Sequence, residues 1–395
     1  MRFQRLGRLA YVLVAAVLTT LAMGGGSARA AFETSAPYAI LMDAESGAVL
    51  FEKDADKLVP PASMSKLMTL AVAFHALKTG TLTMDDKFTV SEHAWRTGGG
   101  PSGTSAMFVY LKSAVAVSDL LQGIIVQSGN DACITLAEGM AGSEEAFAEL
   151  MTTEARRLGL PTSTFGNATG LPHPKQLMSV RELGLLARHL ILDYPEFYKM
   201  FSQKSFEYNN GRKTFNFINR NPLLGMGIGA DGLKTGYIED AGYGLVGSAV
   251  QEGRRLIVVI NGTTSNNERG AEARKLLDWG FSNFKEVPIF DAGEIVGEAR
   301  VWGGSSYYVK LVGNGPINIL VPRVAAKNRL KAEIIYNGPL KPPIHKGDEV
   351  ARIRVEHVEA GVNEVPLYAA EDVEEGGIVA KGLDAIILKA FSWLL

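Results

Sequence analysis

The sequence predicts an α/β (α+β) domain, a sheet built from distant parts of the chain with a helical cluster beside it. A small all-β domain and a C-terminal amphipathic helix follow. Three observations carry this reading. Strand-like runs stand at both ends of residues 36–285, with helical patterns between them. Beyond about residue 286 the chain turns into short alternating runs separated by Gly, Pro and Asn. Wound as a helix, residues 378–395 present one broad apolar face and one polar face. At 395 residues, with 47 % hydrophobic and 21 % charged content, the chain is long enough for more than one core. A formal net charge of −2 leaves no electrostatic footprint for nucleic acid, and the single cysteine, Cys133, excludes an intrachain disulfide framework.

The N-terminus has the three parts of a secretory signal peptide. Arg2, Arg5 and Arg8 precede the apolar run LAYVLVAAVLTTLAM (9–23), and Ala28 and Ala30 form a small-x-small cleavage site. The run is shorter than the roughly 20 apolar residues of a membrane span, so residues 1–30 read as a cleaved signal rather than an anchor. The mature chain is therefore expected to be exported, to the periplasm or the outer face of the cytoplasmic membrane.

Residues 31–285 read as the first domain. YAILMDAESGAVLFEKDAD is a hairpin around Ser46-Gly47, and helical patterns follow at 62–78, 117–129, 130–142, 143–159 and 179–194. Two β-like runs (242–262) turn at Glu252-Gly253, and a helix at 269–284 closes the domain. Residues 286–376, with INILVP, KAEIIYNGP and GDEVARIRVEHVEAG, form the all-β part; no titratable cluster stands out there, which suits a spacer or interaction module. In the tail, 377–395, Leu383, Ile386, Ile387 and Phe391 share a face opposite Lys381, Asp384 and Lys389. It is too short and interrupted to span a bilayer and fits the membrane interface, apolar side down.

The chemistry starts at VPPASMSKLMTL (59–70). Two prolines suit a helix start, and Ala62, Ser63, Lys66, Leu67, Leu70, Ala73 and Phe74 follow one helical face, so Lys66 should point inward. A buried ammonium is costly and tends to lose its charge or find partners, and Ser63 lies one turn away. A serine hydroxyl needs a base to become a nucleophile, and a lysine serves as one when burial or a neighbouring cation lowers its pKa. Lys234-Thr235-Gly236, in DGLKTGYIEDAGYGLVGSA, supplies a cation, a hydroxyl for a carboxylate and a glycine that lets a substrate backbone approach. A phosphate-loop reading of GADGLKTG fails because Leu233 breaks its spacing. Ser128-Gly129-Asn130, between two helices, can aim a hydroxyl and an amide into a cleft; taken alone, Asn130 also suits a helix cap.

Ser-x-x-Lys, Ser-x-Asn and Lys-Thr-Gly in this order form the set of penicillin-binding proteins and serine β-lactamases. With PPASMSKLMT, VQSGNDACITLAE, DGLKTGYIEDAGYGLVGSA, the trailing β-domain and the amphipathic tail, essentially the whole chain resembles the low-molecular-mass penicillin-binding proteins that act as D-alanyl-D-alanine carboxypeptidases. The resemblance implies that Ser63 attacks the carbonyl between two terminal D-alanines of a peptidoglycan stem peptide, with Lys66 as general base. It implies that Ser128 and Lys234 provide the proton path and electrostatic clamp, and that Asn130 holds Lys66 and the substrate amide. The amides of Ser63 and Tyr237 would hold the oxyanion, while Thr235 and Arg269 would bind the terminal carboxylate beside Gly236. β-Lactams would be covalent inhibitors. Tyr237 stands where some relatives carry His.

A class A β-lactamase needs a Glu-x-x-Leu-Asn loop, and no Leu-Asn dipeptide occurs. A β-lactamase or transpeptidase of the same fold, or a non-catalytic wall-binding scaffold, stays open as an alternative. The histidines His75, His93, His173, His189, His345 and His357 fall in no metal-ligand spacing, so no metal or cofactor is expected. The glycine-rich loop 96–107 is read as a mobile flap near the cleft.

Overall fold

Continuous apolar runs and turn chemistry build the main sheet. Strands β1 (Tyr38–Asp43) and β2 (Val49–Lys53) form the first hairpin, and β7 (Ala230–Ile238), β8 (Gly242–Gln251) and β9 (Arg254–Thr263) the second group. The sheet order is β2-β1-β9-β8-β7, with every pair antiparallel, so β7 is an edge strand and β1 pairs with a strand more than two hundred residues later. The computed structural model describes residues 32–323, 331–357 and 361–377. The expected signal peptide (1–30) and the expected amphipathic helix from 378 onward lie outside the described residues.

Between β2 and β7 lies the helical cluster: α1 (Lys66–Lys78), α2 (Val117–Gln122), α3 (Asn130–Ala141), α4 (Glu144–Arg157) and α5 (Val180–Asp193). Helix α6 (Asn266–Asn283) follows β9. Ser143, Ser179 and Ser265 cap α4, α5 and α6, each accepting a backbone N–H from the first turn. Two glycines let helices close on the sheet. A Cβ on Gly184 of α5 would meet Met42 at 2.9 Å, and one on Gly280 of α6 would meet Leu41 and Leu256 at 2.7 Å. Adjacent strand residues face opposite sides, so α5 and α6 cover opposite faces of the sheet.

Two small hairpins complete this part, β3 (Lys87–Thr89) with β4 (Ala114–Ala116) and β5 (Ser205–Asn209) with β6 (Thr214–Ile218). The β-rich part begins with β10 (Phe284–Phe290), which pairs with β13 (Ile317–Pro322). A five-stranded sheet holds β11 (Ile295–Arg300), β12 (Tyr308–Val312), β14 (Lys331–Ile335), β15 (Glu349–His357) and β16 (Gly361–Ala369) in the order β11-β12-β16-β15-β14. Its own core centres on Val301, Val309, Leu311, Ile319, Ile353 and Leu367, separate from the core of the helical cluster. Among the described residues no helix is long and apolar enough to cross a membrane.

Candidate active site

The predicted helix 62–78 starts with a tighter turn than its apolar spacing suggested. Ala62–Ser65 is a 3₁₀ turn leading into α1. Ala62 has φ 49°, a left-handed conformation that costs a non-glycine residue ~1 kcal/mol. Ser65 Oγ donates to the Ala62 carbonyl (3.0 Å), and Gly170 lies so close that a Cβ there would sit 2.1 Å from the same oxygen. Instead of one inward stripe, α1 is buried all round through Phe74, because it runs through the centre of the cluster. Lys66 is fully buried.

Lys66 Nζ donates to Ser63 Oγ (2.9 Å), Asn130 Oδ1 (2.7 Å) and the Thr169 carbonyl (2.5 Å). Burial lowers its pKa to about 8, with Arg220 pushing the same way against Cys133, Glu144 and Asp131. A neutral amine has two N–H groups and one lone pair. With Asn130 and Thr169 taking both protons, the lone pair is left facing Ser63.

The 117–129 helical pattern divides. α2 loosens into a π turn (Gly123–Gln127), and Ser128 follows with φ 62°. Such π turns recur at functional sites. Asn130 does not cap α3 with its side chain; Gly129 occupies that position, and the Asn130 amide is spent between Lys66 and Thr104 Oγ1 (2.9 Å). Ser128 Oγ is buried and has no partner among the described residues.

Lys234, Thr235, Gly236 and Tyr237 all lie on edge strand β7. The close neighbour of Gly236 is the turn that carries Ser63: a Cβ there would lie 2.9 Å from the Pro61 carbonyl. Lys234 is also buried, and its Nζ donates to the Thr235 carbonyl (3.2 Å). Its pKa falls well below the usual lysine value, through burial first and then Lys66 and Arg220. Lys66 and Lys234 thus disfavour each other's charge, with burial the first cause at both and Arg220 adding to it. Tyr237 is half exposed and packs on Tyr243, ring centroids 4.2 Å apart.

Arg269 is buried beside Gly236: its guanidinium donates to the carbonyls of Gly236 (3.1 Å) and Gly244 (3.3 Å) and to Asn266. Three acceptors on α6 and the β7–β8 pair hold it against β7, and its Nε is buried without a partner among the described residues. Arg220 lines the cleft and donates to Ser105 Oγ (2.7 Å). The cleft, about 610 Å³, is bounded by Ser63, Asn130, Gly170, Arg220 and Tyr237. A larger cavity of about 760 Å³, near the β1–β2 turn and β15, contains none of these residues. Loop 96–107 is tied into the wall rather than free, since Asn130 N donates to the Ser105 carbonyl (2.7 Å). Arg220 and the Thr169 carbonyl were missed: the first sits in no motif spacing, and the second is main chain, which side-chain patterns do not encode.

Comparison with known proteins gives one answer along most of the chain. Residues 26–265 match the S11 peptidase family, described as D-alanyl-D-alanine carboxypeptidase, and residues 284–375 match the C-terminal domain of penicillin-binding protein 5. The chain is 40 % identical over 358 residues to the D-alanyl-D-alanine carboxypeptidase DacC of Escherichia coli, covering 90 % of this chain and 88 % of that one. It is 32 % identical over 377 residues to DacF of Bacillus subtilis, covering 94 % and 95 %. The crystal structure of penicillin binding protein 5 from Haemophilus influenzae superposes with a TM-score of 0.74 at 35 % identity, covering 87 % of this chain and 99 % of that one.

Proposed function

The chain belongs to the D-alanyl-D-alanine carboxypeptidase family, and from that premise we propose that Ser63 is its nucleophile and Lys66 the general base. The enzyme removes the terminal D-alanine from peptidoglycan stems ending in D-Ala-D-Ala. Ser63 Oγ attacks the carbonyl between the two D-alanines as its proton passes to Lys66 Nζ. Collapse of the tetrahedral adduct releases D-alanine, which takes up a proton, and water then cleaves the acyl-enzyme. The observation that carries this reading is the environment of Lys66: fully buried, 2.9 Å from Ser63 Oγ, its other two polar contacts both acceptors.

The other roles rest on position. β7 is an edge strand, so an extended peptide can run alongside it, with Thr235, Gly236 and Tyr237 at its side. The backbone amides of Ser63 and Tyr237 form the oxyanion hole. Arg220 and Thr235 take the terminal carboxylate, and Arg269 holds the Gly236 carbonyl. Ser128 and Lys234 relay the proton to the leaving amine. Residues 31–285 form the catalytic domain and 286–376 a β-rich domain that spaces it from the membrane. Residues 1–30 direct export to the periplasm, and 377–395 attach the protein to the outer face of the cytoplasmic membrane.

Intact mass during incubation with benzylpenicillin tests the core of this reading. An adduct lasting minutes or longer in the wild type and absent from Ser63→Ala is the expected result. A wild type without an adduct, or a Ser63→Ala variant that still forms one, overturns the assignment. Lys66→Ala is expected to lose acylation by at least about a hundredfold while keeping its far-ultraviolet circular dichroism.

A further inference from the structure

We propose that Asn167 is a positioning residue for the reaction: its side chain shapes the 166–171 turn so that the Thr169 carbonyl faces Lys66 and orients the amine lone pair toward Ser63. Asn167 Oδ1 accepts from Thr169 N (3.1 Å), Thr169 Oγ1 (3.0 Å) and Gly170 N (2.8 Å), while its Nδ2 donates to the Leu171 carbonyl (2.9 Å). One amide thus uses both ends to wrap the turn. The turn is also fixed at its edges. Gln176 Oε1 accepts from Gly166 N (2.9 Å), Glu144 Oε1 from Ala168 N (3.0 Å), and Thr69 Oγ1 donates to the Ala168 carbonyl (2.7 Å). Those outer bonds set where the turn lies. The bonds of Asn167 set which way the peptide between Thr169 and Gly170 points.

That peptide has two duties. Its carbonyl takes one Lys66 proton, and Gly170 packs on the Ala62 carbonyl beside the nucleophile. Rotating it would free a Lys66 N–H to turn toward Ser63, and a lone pair aimed elsewhere cannot accept the hydroxyl proton. The titratable neighbours of Lys66 are Lys234 on β7, Arg220 after β6, Asp131 on α3, Glu144 on α4 and the Cys133 thiol on α3, which burial pushes up to about 12 and so keeps uncharged. Of these, Glu144 alone is seen to bond the turn, through Ala168 N, and that bond does not involve the Asn167 side chain. A carbonyl acceptor favours the ammonium form, so losing it lowers the lysine pKa.

The inference rests on Lys66 being the base for Ser63, and the experiment separates the two. Benzylpenicillin acylation rates are measured from pH 5 to 10 for wild type, Asn167→Ala, Asn167→Asp and Lys66→Ala. Each rate is normalised to active sites counted by covalent labelling, and kcat and KM are measured on a diacetyl-Lys-D-Ala-D-Ala peptide. Asn167→Ala is expected to lose about tenfold to a hundredfold in acylation rate and kcat, with KM little changed and the acid limb moved to lower pH. Asn167→Asp, which keeps the triple acceptor, recovers most of the rate, and its charge moves the limb upward. Should Asn167→Ala not fold, Asn167→Thr, whose hydroxyl supplies one acceptance, carries the same arms. A wild-type rate per active site with an unmoved limb overturns the inference, as does a loss seen only in the number of active sites. If Lys66→Ala itself acylates normally, the reading beneath it falls instead.

Discussion

At Lys66 the protein accepts the desolvation of an amine in return for reactivity. Its lowered pKa makes the acylation rate rise with pH through a limb centred near about 8, below the usual lysine range. A stopped-flow pH profile checks this, and a limb centred near 10 would refute it. Arg220 disfavours the ammonium, so Arg220→Gln should move the limb to higher pH while raising KM for the carboxylate-ended peptide. Much of this chemistry was legible, because Ser63 and Lys66 are three apart on one helix and local geometry alone brings them together. Arg220 was not, since its place beside Ser105 arises from tertiary packing of residues far apart in the chain. Arg269 keeps a donor in reserve: three acceptors on α6 and the β7–β8 pair take its terminal nitrogens, while its Nε is buried without a partner among the described residues.

Among elements, the helices and strands β1, β2, β8 and β9 were readable from their apolar content, whereas β7 was not, because ADGLKTGYI carries no apolar run or alternation. The two departures from regular helix, the 3₁₀ turn before α1 and the π turn after α2, were not readable either. A change of one residue in hydrogen-bond step barely alters an apolar pattern, and both flank the site. The β5–β6 hairpin carried a usable signal, alternation on either side of Asn210-Gly211, that the sequence reading left out. The close approach of α6 to the sheet predicts that Gly280→Ala costs about 1–3 kcal/mol, visible as a lower denaturant midpoint with acylation per folded molecule unchanged. Gly170→Ala should do more. Its φ of 81° and the Ala62 carbonyl 2.1 Å from the new Cβ leave no room, so stability and acylation should fall together.

For the whole molecule, the change in composition near residue 286 was enough to foresee the β-rich part, because a second core needs its own alternating strands. The tail reading predicts that a chain ending at Gly377 acylates at the full rate but no longer co-sediments with anionic vesicles, whereas the longer chain does. Equal sedimentation of both would remove the tail from the account. The sheet order has a consequence in time. Ser63, Lys66, Ser128 and Asn130 all precede β7, yet β1, among the first strands made, waits for β9 among the last. Closing so long a segment is slow, and it cannot begin until the chain past residue 263 is available. A chain not yet made past β9 therefore carries Ser63 and Lys66 without the finished sheet whose edge strand bounds the cleft. The cleft is completed only once residues 38–263 have come together, and an unfinished copy presents none for a β-lactam to enter.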